Sequence, residues 1–312
     1  MRKLLTVIIC TYNRAFILAE CLNSLCEQIV PAEHYQLLII DNNSTDNTRD
    51  LVLQFTGKIS ELQYIYEPIQ GLAHARNRGL AEAQTEWVAF LDDDAKASPE
   101  WIQSILNTID TGDFDCFGGP YIAWLRSGPR PVWMEENFGT YFGPGKYGIL
   151  GEHYIPGGNC AFKKNLAEVA GGFPKVLGMK AQKCAYGEET YLFRKMQENG
   201  AIMGFVPEML IEHCVLEYKY TLRWRLEASF AKGRDGSIAL NIKDSSYAIL
   251  KSLISNVVYG FLRAGRNACR MGYPWQKALL DWLMPICHTC GRLYTIFFLK
   301  LQNLTDEDRP GI

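Results

Sequence analysis

Trp87-Val88-Ala89-Phe90-Leu91-Asp92-Asp93-Asp94 joins a run of apolar residues directly to three carboxylates. A short continuous apolar run reads as a strand buried on both faces, the kind found in parallel sheets. In open α/β sheets, ligands bind beyond the carboxyl ends of the strands, so these aspartates stand where chemistry is expected. If the backbone stays extended, Asp92 and Asp94 share one side and Asp93 takes the other. Two convergent carboxylates can hold a hard divalent cation, which prefers oxygen ligands. The same triplet would also suit a solvated acidic loop or a helix cap.

Upstream, Leu4–Cys10, Leu37–Ile40 and Gln63–Tyr66 are further strand-like runs. Between them, Ile17, Cys21, Leu22 and Leu25 recur at helical spacing, and helices are predicted over Asp46–Phe55 and Leu72–Ala83. Ser44 and Thr45 are cap candidates for the first of these, and Ser98-Pro99 opens a further helix over Trp101–Ile109. Repeated strand–helix–strand units imply an α/β fold with an open, mainly parallel sheet flanked by helices. Thr11-Tyr12-Asn13-Arg14 and Asp41-Asn42-Asn43-Ser44 follow strands as the acidic triplet does. A carboxylate and amides at the second position can accept from a nucleobase N–H and from ribose hydroxyls. The same residues are equally apt for an Asx-type turn.

Downstream, Gly118–Gly158 breaks into an irregular stretch rich in Gly, Pro and aromatic residues, among them Trp124, Trp133, Tyr141, Phe142 and Tyr147. Long irregular segments inside a domain are usually functional, although these rings also suit a core. A helix over Gly187–Gly200 and a strand near Ile202–Val206 follow. Glu188 and Glu189 fall in that helix's first turn, where the macrodipole favours acids for structural reasons alone. Either is also a candidate general base. His213 ends an apolar stretch, where a packed histidine is as ordinary as a ligand.

The 312 residues include 48% hydrophobic and 21% charged, an ordinary globular composition with room for one large domain and an appendage. The ten cysteines are scattered, and several sit in apolar runs as Cys10 and Cys116 do, which fits reduced core thiols. Cys287-His288-Thr289-Cys290 has no second paired cluster to complete a zinc site, so packed thiols are expected there. Arg2-Lys3 and the short apolar run after them read as the start of the first strand rather than a leader. The sequence contains no G-x-G-x-x-G, P-loop or H-E-x-x-H motif. Without a P-loop lysine, phosphate handling is expected to fall on a metal.

Charge is divided unevenly. Residues 1–218 hold 18 Lys/Arg against 27 Asp/Glu, whereas residues 219–300 hold 13 against 4. The basic part also carries an apolar stripe at helical spacing, from Tyr247 through Leu250, Ile254 and Val258 to Leu262, and a second apolar block over Leu279–Leu301. Lys251 and Arg263 interrupt the first, and Asp281, Pro285, Arg292 and Lys300 the second, so neither is a clean spanning helix. Packing on the rest of the protein and interfacial binding to an anionic membrane are the two expectations. Nucleic acid is disfavoured as a partner by the acidic remainder.

In order along the chain, Thr6–Arg14, Asp41–Asp46, Gly71–Gly79, Phe90–Asp94, Gly157–Phe162, Gly187–Glu189 and His213 resemble the family-2 glycosyltransferases of the GT-A (Rossmann-like) fold. The resemblance runs from about Leu4 to His213. It implies a GT-A catalytic domain over 1–218, with a nucleotide-binding part at about 1–117 and an acceptor part at about 118–218. A basic, apolar helical extension over 219–304 and a disordered tail over 305–312 would complete the chain.

The implied activity is that of an inverting, hexosyltransferase-type enzyme using Mg2+ or Mn2+ and a nucleotide-diphosphate sugar, with UDP-sugars first. It would serve polysaccharide, glycolipid or cell-envelope glycan synthesis, in the cytoplasm at the inner face of the membrane. The implied roles are nucleotide contact for Thr11, Asn13, Arg14, Asp41, Arg76 and Asp92, and metal binding for Asp94, Asp92 and His213 (a D-x-D motif). Asp93, Gly158, Asn159 and Trp133 would lie at the donor sugar or acceptor, and Glu189 or Glu188 would be the base. The family's usual Glu-Asp pair is Glu-Glu here. A nucleotidyltransferase and a non-catalytic sugar-nucleotide-binding protein are the alternatives.

Overall fold

The computed structural model describes residues 4–59, 61–180, 183–242 and 245–299. The disordered tail expected over 305–312 lies outside them. The chain divides into two compact units. The first takes residues up to Trp124, Gly139–Lys175 and Leu192–Cys214; the second takes Leu125–Phe138, Val176–Tyr191 and the described chain from Val215 onward.

The first unit opens with alternating strands and helices: β1 (Leu5–Thr11), α1 (Ala15–Cys26), β2 (Tyr35–Asp41), α2 (Thr48–Leu53), β3 (Leu62–Tyr66), α3 (Leu72–Glu82) and β4 (Trp87–Leu91). Then come β5 (Ala95–Ala97), α4 (Trp101–Thr111), β6 (Cys116–Gly118), β7 (Tyr121–Trp124), β8 (Gly148–Ile149), β9 (Asn159–Lys163) and α5 (Lys164–Val169). Helix α6 (Glu188–Glu198), of which only the part from Leu192 belongs to this unit, then β10 (Met203–Phe205) and β11 (Ile211–Cys214) follow.

Eight strands form one sheet in the order β3-β2-β1-β4-β9-β6-β10-β8, and β5-β11-β7 form a second, smaller one. β2, β1, β3 and β4 pair in parallel, as the continuous apolar runs of β1, β2 and β4 predict, whereas β3 is a less buried edge strand. β9 enters antiparallel between β4 and β6. Val7 and Ile9 face one apolar layer with Leu22 of α1 and Ile105 of α4, while Ile8 and Phe90 face the other with Leu80 of α3. The period of two in β1 thus feeds both cores.

Two expected caps are replaced. Asp46, not Ser44 or Thr45, accepts from the Thr48 N–H at the start of α2. The Ser98 carbonyl, rather than its hydroxyl, receives the Trp101 N–H at the start of α4. The aromatic stretch is largely turns, crossed by β6, β7 and β8.

Asp115 ties β6 to its neighbours by accepting from the Ile202 amide and from Lys163 at 2.8 Å. Partial burial works against its charged form, but that amide and the Lys163 ammonium together hold the carboxyl below its ordinary range. A depressed folded-state pKa gives stability that is present above the unfolded value and lost as pH falls through the folded one. Asp115→Asn is therefore expected to cost about 1 kcal/mol at neutral pH and progressively less below pH 4. Denaturant titrations at several pH values check this.

The second unit is built on α7 (Leu222–Ala239), α8 (Ser246–Ala268) and α9 (Trp275–Tyr294). A Cβ on Gly233 would meet the His288 carbonyl, and one on Gly291 would meet that of Phe230, so two glycines let α7 and α9 touch backbone to backbone. On α8 the buried residues are Ile249, Gly260 and Ala264, and Asn256 donates to Pro285 O and Thr289 Oγ1 on α9. The apolar stripe faces out: Tyr247, Leu250, Ile254, Val258 and Leu262 are all exposed. Among the described residues, no helix is long and apolar enough to cross a membrane.

Candidate active site

Strand order reverses at β1, which lies between β2 and β4, and the polar segments after these strands converge there. The loops are joined by side-chain amides. Asn13 Oδ1 accepts from the Thr45 and Asp46 amides, and Asn42 bonds Gly71 N and the carbonyl of Ile69. Asn13 and Asn43 take left-handed backbone angles, φ 51° and 67°, which asparagine tolerates better than most residues. Asp41 is buried, with one oxygen taken by the Ser44 amide and the other by Tyr64 Oη at 2.6 Å.

The acidic triplet is not extended. Ala95 N–H donates back to Asp92 O, closing a turn. Even so, ligand atoms of Asp92, Asp94 and His213 all lie within 4.8 Å of one another. Strand register explains why. Leu91 pairs with Asn159 across β4 and β9, which sets Gly158 opposite Asp92, and the Asp92 amide donates to Gly158 O. His213 pairs with Ala95 across β11 and β5, and Cys214 N–H donates to Asp94 O.

Charge around the triplet is partly compensated. Thr11 Oγ1 donates to Asp93 at 2.7 Å, and Arg14 Nη1 bridges Asp93 at 2.9 Å and Asp94 at 3.2 Å. Burial raises the Asp93 carboxyl to about 6 despite Arg14, and the charge of Asp94 pushes the same way. Arg76 is buried over the rings of Phe90 and Phe173, 3.7 Å from Asp92. His213 Nε2 lies 3.3 Å from Asp94, while its Nδ1 is buried with no hydrogen-bond partner among the described residues.

These donors fit a divalent cation. Two carboxylates and an imidazole from three chain positions face one point, and one carboxylate, Asp92, remains half-exposed. Asp93 is turned instead toward Thr11 and Arg14.

Asn159 is fully buried: Trp101 Nε1 donates to its oxygen, and its amide donates to the Pro120 and Met209 carbonyls. It holds the Gly158 loop from beneath. Beside His213, Tyr121 contacts its ring at 5.7 Å, the tilted rings of Tyr141 and Tyr154 meet at 4.3 Å, and the Tyr121 and Tyr154 hydroxyls bond at 2.9 Å. Sequence reasoning did not single out Tyr154. Only the aromatic richness of its region pointed that way.

Three remaining candidates lie in the second unit. Trp133 packs with Met134 and Leu280. Glu188 is buried, and a Cβ on Gly178 would press on its carboxylate. Glu189, next in the same helical turn, is half-exposed.

The family model described as Glycosyl transferase family 2 matches residues 6–170. Among curated relatives, the glycosyltransferase AglE of Haloferax volcanii is 34% identical over 115 residues, 36% of this chain and 38% of that protein. The succinoglycan biosynthesis protein ExoM of Rhizobium meliloti is 27% identical over 241 residues, 72% of each. Among solved structures, the mannosyltransferase PcManGT from Pyrobaculum calidifontis, in complex with GDP-Man and Mn2+, superposes with a TM-score of 0.61. It is 19% identical, over 96% of this chain and 88% of that one. S. aureus TarS 1-349 in complex with UDP-GlcNAc gives 0.57 at 16% identity, over 94% and 91%. The fold is that of the GT-A glycosyltransferases.

Proposed function

The chain belongs to glycosyl transferase family 2, and from that premise we propose that it moves a sugar from a nucleotide-diphosphate donor, a UDP-sugar first, onto an acceptor hydroxyl with inversion. One observation carries the reading: Asp92, Asp94 and His213 offer three ligand atoms to one point beyond the carboxyl ends of β1 and β4. These residues would hold a divalent cation, Mn2+ or Mg2+, which would supply positive charge to offset the diphosphate.

The chain's own residues do the rest. Thr11 and Arg14 hold Asp93 and fix the triplet's shape, and Asn13 joins the two nucleotide loops. Asp41, locked by Tyr64 and Ser44, presents a rigid edge for the nucleoside, and Gly158, having no Cβ, lets the Asp92 carboxylate lie against its backbone at the side of the donor sugar. Glu189 is the base: it takes the acceptor hydroxyl's proton as that oxygen bonds to the anomeric carbon and the bond to the diphosphate oxygen breaks. Its accessibility, against the buried Glu188, favours it.

The acceptor belongs to a polysaccharide, glycolipid or cell-envelope glycan, in keeping with the succinoglycan role in the name of ExoM. The exposed apolar residues of α8, together with exposed Lys251, Arg263 and Arg266, support peripheral contact with an anionic membrane surface.

UDP with Mn2+ is expected to raise the melting temperature by several degrees at saturating ligand, and UDP with EDTA to leave it unchanged. Equal stabilisation in EDTA would remove the metal from the proposal.

A further inference from the structure

We propose that the second unit carries an anion-binding pocket for a phosphorylated sugar headgroup, formed by Arg225 and Lys232 of α7 with the rings of Trp224 and Phe138. These residues, with Glu135 and Met284, line a cavity of about 240 Å3.

The arrangement is unusual in its cations. The Arg225 side chain is only 7% exposed, an uncommon degree of burial for a guanidinium. Its Nη2 meets the carboxylate of Glu135 at 3.0 Å, and its face lies 4.5 Å from the Phe138 ring. Its Nη1 is buried with no hydrogen-bond partner among the described residues. A charged donor left unsatisfied in the interior is costly, and because Arg225 lines the cavity, an anion there would offset the charge of its incompletely paired guanidinium.

Lys232 lies two helical turns further along α7 and supplies the second charge. Its residue surface is open to solvent, yet the protein atoms crowded around its ammonium, and then the charge of Arg225, lower its pKa. Glu135 cancels one of the two cations, so one net positive charge remains among the three groups.

The rings specify what accompanies the anion. Trp224 and Phe138 meet edge to face with centroids 6.3 Å apart and give the cavity an aromatic wall suited to a sugar's apolar face. Ligand pockets usually measure roughly 300–1,000 Å3, so this one suits a phosphate with a single ring rather than a long chain. Two sources share that chemistry, a soluble sugar phosphate and the head of a phosphorylated lipid. The pocket is made wholly of second-unit residues, and its occupancy does not depend on the metal reading.

The test titrates the full chain, in EDTA, with glucose 1-phosphate and with glucose, using the wild type, Lys232→Gln and Asp94→Asn. Lys232 is exposed, so its variant should fold, which circular dichroism verifies. Glucose 1-phosphate should bind saturably, about tenfold more weakly in K232Q and unchanged in D94N, while glucose should not bind. Equal affinity in wild type and K232Q, or no saturable binding, would overturn the proposal. Lys232-dependent sedimentation with phosphatidylcholine vesicles containing phosphatidic acid would assign the lipid source. Lys232-dependent binding of glucose 1-phosphate without it would assign the soluble one. Failure here with Mn2+-dependent UDP stabilisation intact rejects only the pocket; the reverse rejects only the metal reading.

Discussion

Asp94→Asn should slow glycosyl transfer by about a thousandfold or more while leaving the melting temperature nearly unchanged. Asparagine keeps the shape of the side chain and removes its charge. One Asp94 oxygen lies 3.3 Å from His213 Nε2 and the other 3.2 Å from Arg14, so the amide meets the same neighbours. Arg14 keeps Asp93 as a partner at 2.9 Å, which limits the structural cost. The electrostatic cost is larger. A unit charge at about 4 Å in a medium of effective dielectric near 20 is worth roughly 4 kcal/mol, and about 1.4 kcal/mol corresponds to tenfold in rate. Weaker Mn2+ binding should accompany the rate loss. A variant within tenfold of wild type, with unaltered Mn2+ affinity, would mean that Asp94 is not a ligand.

Gly158→Ala should lower kcat by about a hundredfold with little loss of stability. The added Cβ would fall on the Asp92 carboxylate, well inside van der Waals contact. That carboxylate ends a side chain able to rotate, so the backbone need not yield. Asp92 would then leave both the Asp94–His213 cluster and Arg76. Gly119→Ala makes the contrast, because its Cβ would strike the Met209 backbone carbonyl, which has no such freedom. G119A is expected to lower the melting temperature and G158A the rate, and paired thermal and kinetic measurements separate them. A G158A enzyme of normal kcat would show that Asp92 does not need its observed position.

Much of the fold could be read locally. The runs that became β1, β2 and β4 are apolar apart from Thr6 because both faces of the sheet are covered, and helical spacing placed α1 and α3 within a few residues. What escaped depends on partners distant in sequence. β9 holds only Asn159–Lys163, and nothing in those residues announces an antiparallel insertion beside β4. α7 has no one-sided apolar stripe, since its buried positions include Ala228, Ser229, Ala231 and Gly233, small residues chosen by close approach to α9.

The site divides the same way. Alternation along an extended backbone was the wrong reason for bringing Asp92 and Asp94 together, because a turn does it. His213 reaches Asp94 only through the β5–β11 register, a pairing of residues more than a hundred positions apart. The second unit gathers three separate stretches: the charge shift near residue 218 marks the described chain from Val215 onward, but nothing in the composition marks Leu125–Phe138 or Val176–Tyr191 as joining it. The outward turn of the α8 stripe is likewise a matter of packing, because Asn256 bonds α9 and fixes the helix's rotation.

Crystals grown with UDP and Mn2+, and measured at the manganese absorption edge, address the metal reading most directly. An anomalous peak is expected within coordinating distance of Asp94 and His213, with the nucleotide's phosphates on its open side. A clearly bound nucleotide with no such peak, or manganese held elsewhere, would contradict it.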